Sequence, residues 1–134
     1  MKPELLIQKA IEATKDCHVP YSKFKVGAAI LMKDGTIVTG ANIENSSYGL
    51  SMCAERTALY HAYLKGFRKA DIVSMAVIGP TAGPISPCGA CRQVMHELMD
   101  AKTPIYLSNL NKEMKLMTPE TLLPYAFSSK DLKL

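Results

Sequence analysis

No apolar run in this 134-residue sequence approaches the length of a membrane span. The N-terminal stretch MKPELLIQKAIEATKD interleaves apolar residues with charges at helical spacing. It therefore lacks the unbroken apolar segment and the small-residue cleavage site of a signal peptide. No Lys/Arg block dominates either: 16 basic and 12 acidic residues leave a formal charge of +4 spread along the chain. Such a balance gives no support for a nucleic-acid groove. Internal repeats, low-complexity tracts and dividing linkers are absent, so one domain is expected over residues 1–134. A chain of that length can bury a core without disulfide staples. Cysteine is scarce, with four in all. These absences predict a cytoplasmic protein, and in that compartment four cysteines point to metal binding or catalysis before disulfides.

The patterning that is present predicts an α/β chain. A first helix is expected from about Pro3 to Asp16, burying Leu5, Leu6, Ala10 and Ile11. FKVGAAILM and TIVTGANIE flank Asp34-Gly35, the signature of a hairpin. CAERTALYHAYLK reads as a second helix from Cys53, with Gly66 placed to stop it. DIVSMAVIG, apolar and β-branched, reads as a central strand. The proline-rich loop PTAGPISP leads into CGACRQVMHELMD, a third helix whose inner face carries Val94, Leu98 and Met95. IYLSNL and MKLMT complete five strands. Thr118-Pro119 has the form of an N-cap and first-turn proline for a short last helix. Only a few residues around Asn111-Lys112-Glu113 separate the last two strands. A parallel crossover needs a dozen or more, so this pair is expected to be antiparallel.

Two local patterns carry chemistry: Cys53-Ala54-Glu55 and Pro87-Cys88-Gly89-Ala90-Cys91, each opening a helix. The stretch between them is about the length of a helix, a strand and a loop, enough to return the chain to the same end of the sheet. Three thiolates would then converge between two helix N-termini, which favour negative charge. Cys88 and Cys91, three positions apart, present both sulfurs from one helical turn. Three protein ligands leave the fourth tetrahedral position of a zinc ion for water, whereas a structural site closes with four. Glu55, two residues beyond a ligand, is the candidate proton carrier. Three thiolates leave the site net negative, and Arg56 could draw charge away by donating to ligand sulfurs. Cys17, without a ligand pattern around it, reads as a small core residue. His61 and His96 lie too far from the cysteines to complete a closed site and read as partly exposed helix residues. A Cys-x-x-Cys redox reading would leave Cys53-Ala54-Glu55 idle. Met75, Met95 and Met99 read as core.

The sequence resembles the small, free-nucleoside cytidine deaminases. The resemblance is carried by Pro20-Tyr21-Ser22-Lys23-Phe24-Lys25-Val26-Gly27-Ala28-Ala29, Asn42-Ile43-Glu44-Asn45, Cys53-Ala54-Glu55-Arg56, Pro87-Cys88-Gly89-Ala90-Cys91-Arg92-Gln93 and Leu122-Leu123-Pro124-Tyr125-Ala126-Phe127. It implies a three-layer α/β/α fold around a mixed five-stranded sheet, one zinc per subunit, and hydrolytic deamination of cytidine and deoxycytidine in pyrimidine salvage. Water activated on the metal would attack C4 while Glu55 shuttles protons. The same resemblance implies that Phe24 packs on the nucleoside, that Asn42 and Glu44 hold the ribose hydroxyls, and that the backbone at Ala54 and Ser86 reads the pyrimidine edge. It further implies a homotetramer in which neighbouring chains complete each pocket, with Tyr48 and Phe127 as the candidates. Ordinary core packing is the plainer role for Phe24, and anchoring of the C-terminal tail for Phe127. Asn42 and Glu44, at i and i+2 near a strand end, point to one side. Polynucleotide editing is the rival activity, and the antiparallel final pair and weak charge asymmetry stand against it. Deamination of a modified nucleoside is a second rival, against which the Asn42/Glu44 pair and Phe24 speak.

Overall fold

The β-rich runs around Asp34-Gly35 do pair. A computed structural model describes residues 1–132, and in it β1 (Gly27–Met32) and β2 (Ile37–Ala41) form an antiparallel hairpin. Gly35 turns the chain at φ +88°, a conformation that side-chain-bearing residues avoid. β3 (Ile72–Gly79) lies antiparallel to β1, and β4 (Ile105–Asn109) lies parallel to β3. β5 (Met114–Met117) runs antiparallel to β4, as the short connection requires. The strand order is β2-β1-β3-β4-β5.

Both faces of this mixed sheet are apolar because β1 is buried at every position and β3 at every position but Val73. Ala28, Ile30, Met32, Met75 and Val77 pack with Ala58 and Leu59 of α2 (Ala54–Leu64) and Met95 of α3 (Gly89–Leu98). The alternating residues Ala29, Leu31, Ala76 and Ile78 pack with Leu6, Ile7 and Ala10 of α1 (Pro3–Ala13). Helices thus cover both faces, giving three layers. A short α4 (Pro119–Leu122) opens on Thr118, whose side chain accepts from the Thr121 amide.

Two local expectations change. The first α-helix ends at Ala13, and residues 14–16 continue as a 3₁₀ turn. Its buried stripe is Leu6, Ile7, Ala10 and Ala13, with Leu5 exposed and Ile11 only partly covered. The reason is a close approach: a Cβ on Gly27 would sit 2.0 Å from the Ala10 carbonyl oxygen. The helix therefore turns Ala10 toward Gly27 of β1. On α3, Cys91 and Met95 are the fully buried residues, while Val94 and Leu98 pack at the edge of the core. Met75, Met95 and Met99 lie in the core as expected.

The same kind of close approach positions α2. A Cβ on Gly40 of β2 would fall 2.4 Å from the Ala58 nitrogen and 2.6 Å from the Ala54 oxygen. Thr57 Oγ1 also donates to the Ala41 carbonyl at 3.0 Å. The helix is held directly against the strand, and its N-terminus is fixed with it.

Candidate active site

Cys53 is the N-cap of α2 and Cys88 the N-cap of α3, and neither side chain is used as a cap. Both sulfurs are free to face the space between the helix ends, where the positive ends of two helix dipoles meet. Cys91, three residues into α3, projects to the same side and is fully buried. The three sulfurs lie within 4.8 Å of one another. A tetrahedral ion with metal–sulfur bonds of about 2.3 Å holds its ligand sulfurs about 3.8 Å apart. The Cys53 and Cys88 sulfurs are 3.8 Å apart, so the cluster fits zinc as it stands.

Charge in the cluster is divided unevenly. The hydrogen bond from the Cys91 thiol, reinforced by Arg56, brings Cys53 down to about 5, so its sulfur is a thiolate at neutral pH. Holding its proton against that thiolate pushes the Cys91 thiol up. The Arg56 guanidinium donates to Cys53 Sγ at 3.4 Å, the contact anticipated from charge balance. Its Nε is buried without a partner among the described residues. Glu55 in the first turn of α2 is 4% exposed. Burial raises its carboxyl, and the neighbouring Cys53 thiolate adds to the effect. A carboxyl raised in this way is better suited than an exposed one to both accept and return a proton.

A pocket of about 200 Å³ opens beside this cluster, lined by Phe24, Val26, Asn42, Cys53, Ala54, Glu55, Ile85, Ser86 and Cys88. Phe24 is 39% exposed and faces the pocket, which removes the core reading for that ring. Asn42 lies one residue past β2 and enters the same pocket. Glu44 instead lines an adjoining depression with Tyr21, Ser22, Tyr48 and Ser51. The Ser22 hydroxyl donates to its Oε2, and the Tyr21 and Ser22 amides donate to Oε1 at 3.2 and 3.1 Å. These bonds, the hydroxyl's first, hold the Glu44 carboxyl below the usual range. Three of roughly four acceptor positions are filled, leaving one for a ligand. Tyr48 is 73% exposed, edge-on to Tyr21 at 5.9 Å, and Phe127 is 58% exposed. Within one chain neither ring lines the pocket.

Several contacts were not foreseen from sequence. Arg92 donates through Nε to the Pro87 carbonyl, through Nη1 to the Leu122 carbonyl and through Nη2 to Ser86 Oγ, at 2.8, 2.8 and 2.7 Å. One guanidinium thus ties the pocket loop to α4. Gln93 Nε2 donates to the Phe127 carbonyl at 2.9 Å, so the tail is held by its backbone with the ring left free. Arg92 and Gln93 fall within the Pro-Cys-Gly-Ala-Cys-Arg-Gln run, the only sequence signal that singled them out. Cys17 is not a core residue: it is half-buried, with its sulfur against Asn42. His61 is exposed and His96 half-buried, as read from spacing.

The α/β/α layers and the three-sulfur cluster beside a buried carboxyl define a zinc-dependent hydrolytic enzyme. The family model for the cytidine and deoxycytidylate deaminase zinc-binding region matches residues 1–107, and the chain belongs to that family. Cytidine deaminase of Halalkalibacterium halodurans is 54% identical over 132 residues, covering 98% of both chains. Among solved structures, cytidine deaminase from Burkholderia pseudomallei is 46% identical with a TM-score of 0.92, over 95% of this chain and all of that one. The Mycobacterium tuberculosis enzyme is 34% identical with a TM-score of 0.81, over 96% of this chain and 98% of that one.

Proposed function

We propose that this chain hydrolyses the exocyclic amine of free cytidine and deoxycytidine, giving uridine or deoxyuridine and ammonia. The observation that carries the reading is the placement of buried Glu55 in one small pocket with Cys53, Cys88, Phe24 and Asn42. Cys53, Cys88 and Cys91 would hold one zinc ion, which supplies a Lewis acid that brings the pKa of a water toward neutrality. Glu55 takes the proton from that water and delivers it to ring N3, leaving C4 electron-poor for attack by the oxygen. The same carboxyl then takes the remaining proton from the hydroxyl now on C4 and carries it to the departing amine, so the C4 carbonyl forms and ammonia leaves. Arg56 offsets the negative charge of the thiolates and keeps the site electrophilic.

Substrate contacts follow from what each group has left to offer. Phe24 gives the nucleoside an apolar face, and the backbone around Ala54 and Ser86 lies where the pyrimidine edge would sit. Asn42 has a donor to spare and Glu44 an acceptor. A sugar hydroxyl is both acceptor and donor, so one hydroxyl can satisfy the pair. Tyr48 and Phe127 protrude from one chain, which supports a role in completing the pocket of a neighbour within a homotetramer. Residues 1–134 act as one catalytic domain in this reading, with residues 133 and 134 outside those described. No helix among the described residues is long and apolar enough to cross a membrane. In this reading the chain is a cytoplasmic enzyme of pyrimidine salvage acting on a small molecule, with neither membrane nor nucleic acid as partner.

Ammonia release from cytidine, deoxycytidine and a cytosine-bearing single-stranded oligonucleotide tests the assignment. Turnover of both nucleosides without turnover of the oligonucleotide is expected. Deamination of the oligonucleotide with neither nucleoside consumed would overturn it.

A further inference from the structure

Asn42 can make four hydrogen bonds: two accepted by Oδ1 and two donated by Nδ2. The fold commits three of them. The Val26 amide donates to Oδ1 at 3.0 Å, the Cys17 sulfur lies 2.9 Å from the same oxygen, and Nδ2 donates to the Phe24 carbonyl at 2.7 Å. A flipped amide would set NH₂ against the Val26 N–H and oxygen against the Phe24 carbonyl, both repulsive. What remains free is a single N–H on a residue that lines the pocket.

The segment carrying Cys17 is pinned beside Asn42 by its own backbone. The His18 amide donates to the Asn42 carbonyl at 3.0 Å, and the Glu44 amide donates to the His18 carbonyl at 2.7 Å. The Cys17 amide donates to the Thr14 carbonyl at 3.2 Å, closing the turn after α1. The sulfur also lies 3.3 Å from the Val26 carbonyl, the more distant of its two acceptors. Burial raises the Cys17 thiol above its ordinary value, so at neutral pH it carries the hydrogen this contact needs.

We propose that Cys17 is a positioning residue for substrate selection: its thiol fills the second acceptor site of Asn42 and so aims the remaining Asn42 N–H at the sugar hydroxyl. The inference rests on the reading that Asn42 holds that hydroxyl. Without the thiol, Oδ1 keeps one bond in place of two, and the amide can swing between the pocket and the vacated acceptor site. The cost should fall on sugar binding and leave the chemistry at C4 alone.

The test compares deoxycytidine with 2′,3′-dideoxycytidine, which lacks the 3′-hydroxyl, using zinc-loaded enzyme. In Cys17→Ala the kcat/KM preference for deoxycytidine should shrink about three- to tenfold, the size of one modest hydrogen bond. The change should appear in KM, with kcat held within about twofold. Cys17→Val, close in size to cysteine and without a donor, should behave alike and serves if the alanine variant folds poorly. Cys17→Ser, which restores a donor, should recover the preference, a rescue that a packing role would not give. Asn42→Ala, which leaves only the Glu44 contact, should shrink the preference at least as far, and adding Cys17→Ala to it should change nothing further. If Asn42→Ala shrinks the preference while Cys17→Ala and Cys17→Val keep it, the positioning role is refuted and the sugar-binding reading stands. If Asn42→Ala itself keeps the preference, the sugar-binding reading fails and takes this inference with it.

Discussion

Replacing Gly40 with alanine should disable the site from a position that touches neither metal nor substrate. The added Cβ would lie 2.4 Å from the Ala58 nitrogen and 2.6 Å from both the Ala54 oxygen and Thr57 Oγ1. Ordinary contact begins at 3.4 Å, so α2 must retreat from β2 by about 1 Å. Two of the three obstructing atoms are helix backbone, so a rotamer change cannot relieve them. Overpacking of this kind costs about 1–3 kcal/mol, or roughly 4–15 °C in Tm for a domain of this size. The larger effect should be catalytic. Cys53 and Glu55 ride on α2 while Cys88 and Cys91 stay with α3. A displacement of about 1 Å therefore exceeds the roughly 0.2 Å tolerance of a metal site, and misplacement on that scale costs on the order of 10²-fold in rate. Thermal unfolding, zinc content and kcat on cytidine, measured side by side, check both parts. Gly83→Ala, where a Cβ meets nothing within 4 Å, is the control and should match the wild type. Wild-type Tm and kcat in Gly40→Ala would refute the claim that this approach sets the site geometry.

Arg56→Ala should keep its zinc, because no sulfur is removed, yet lose about 10- to 100-fold in kcat, the range for a hydrogen bond to a charged group. Unchanged turnover would show that the 3.4 Å contact to Cys53 has no part in tuning the site. Metal removal should expose a reactive thiolate at Cys53. With its pKa lowered to about 5, this residue in the apoprotein should be alkylated at a rate nearly constant from pH 6 to 8 and falling only as the pH drops through 5. An ordinary thiol gains about tenfold per pH unit below its pKa of about 8.5. Mass-spectrometric mapping of labelled Cys53 decides, and a steady tenfold-per-unit rise would contradict the assigned thiolate.

Features governed by local chemistry are legible in the sequence itself. Asp34-Gly35 announced its hairpin, Thr118-Pro119 its helix start, and the brief link after Asn109 the antiparallel last pair. The metal cluster was legible because Cys88 and Cys91 share one turn and Cys53 opens the preceding helix. What escaped was fixed by contact across the fold. Leu5, Leu6 and Ile7 offer α1 two possible stripes, and the approach of Gly27 to Ala10 chooses between them. Arg92 is one cation among 16 basic residues until the Pro87, Leu122 and Ser86 oxygens surround it. Cys17 looked like a spare apolar residue because its partner, Asn42, is 25 positions away. The expectation that Asn42 and Glu44 face one side anticipated their polarity but not the separate depression in which Glu44 lies.

In the proposed mechanism Glu55 moves the protons and the three cysteines alone hold the metal. Glu55→Gln keeps the size and the burial of the side chain and removes its ability to accept a proton. Zinc content and turnover measured on the same preparation give the most direct test. One zinc per chain together with a loss of roughly 10²- to 10⁴-fold in kcat, the range for a positioned acid–base group, is the predicted result. Turnover near the wild-type rate at full zinc occupancy would contradict it, and loss of the zinc would make Glu55 a ligand instead of a proton carrier.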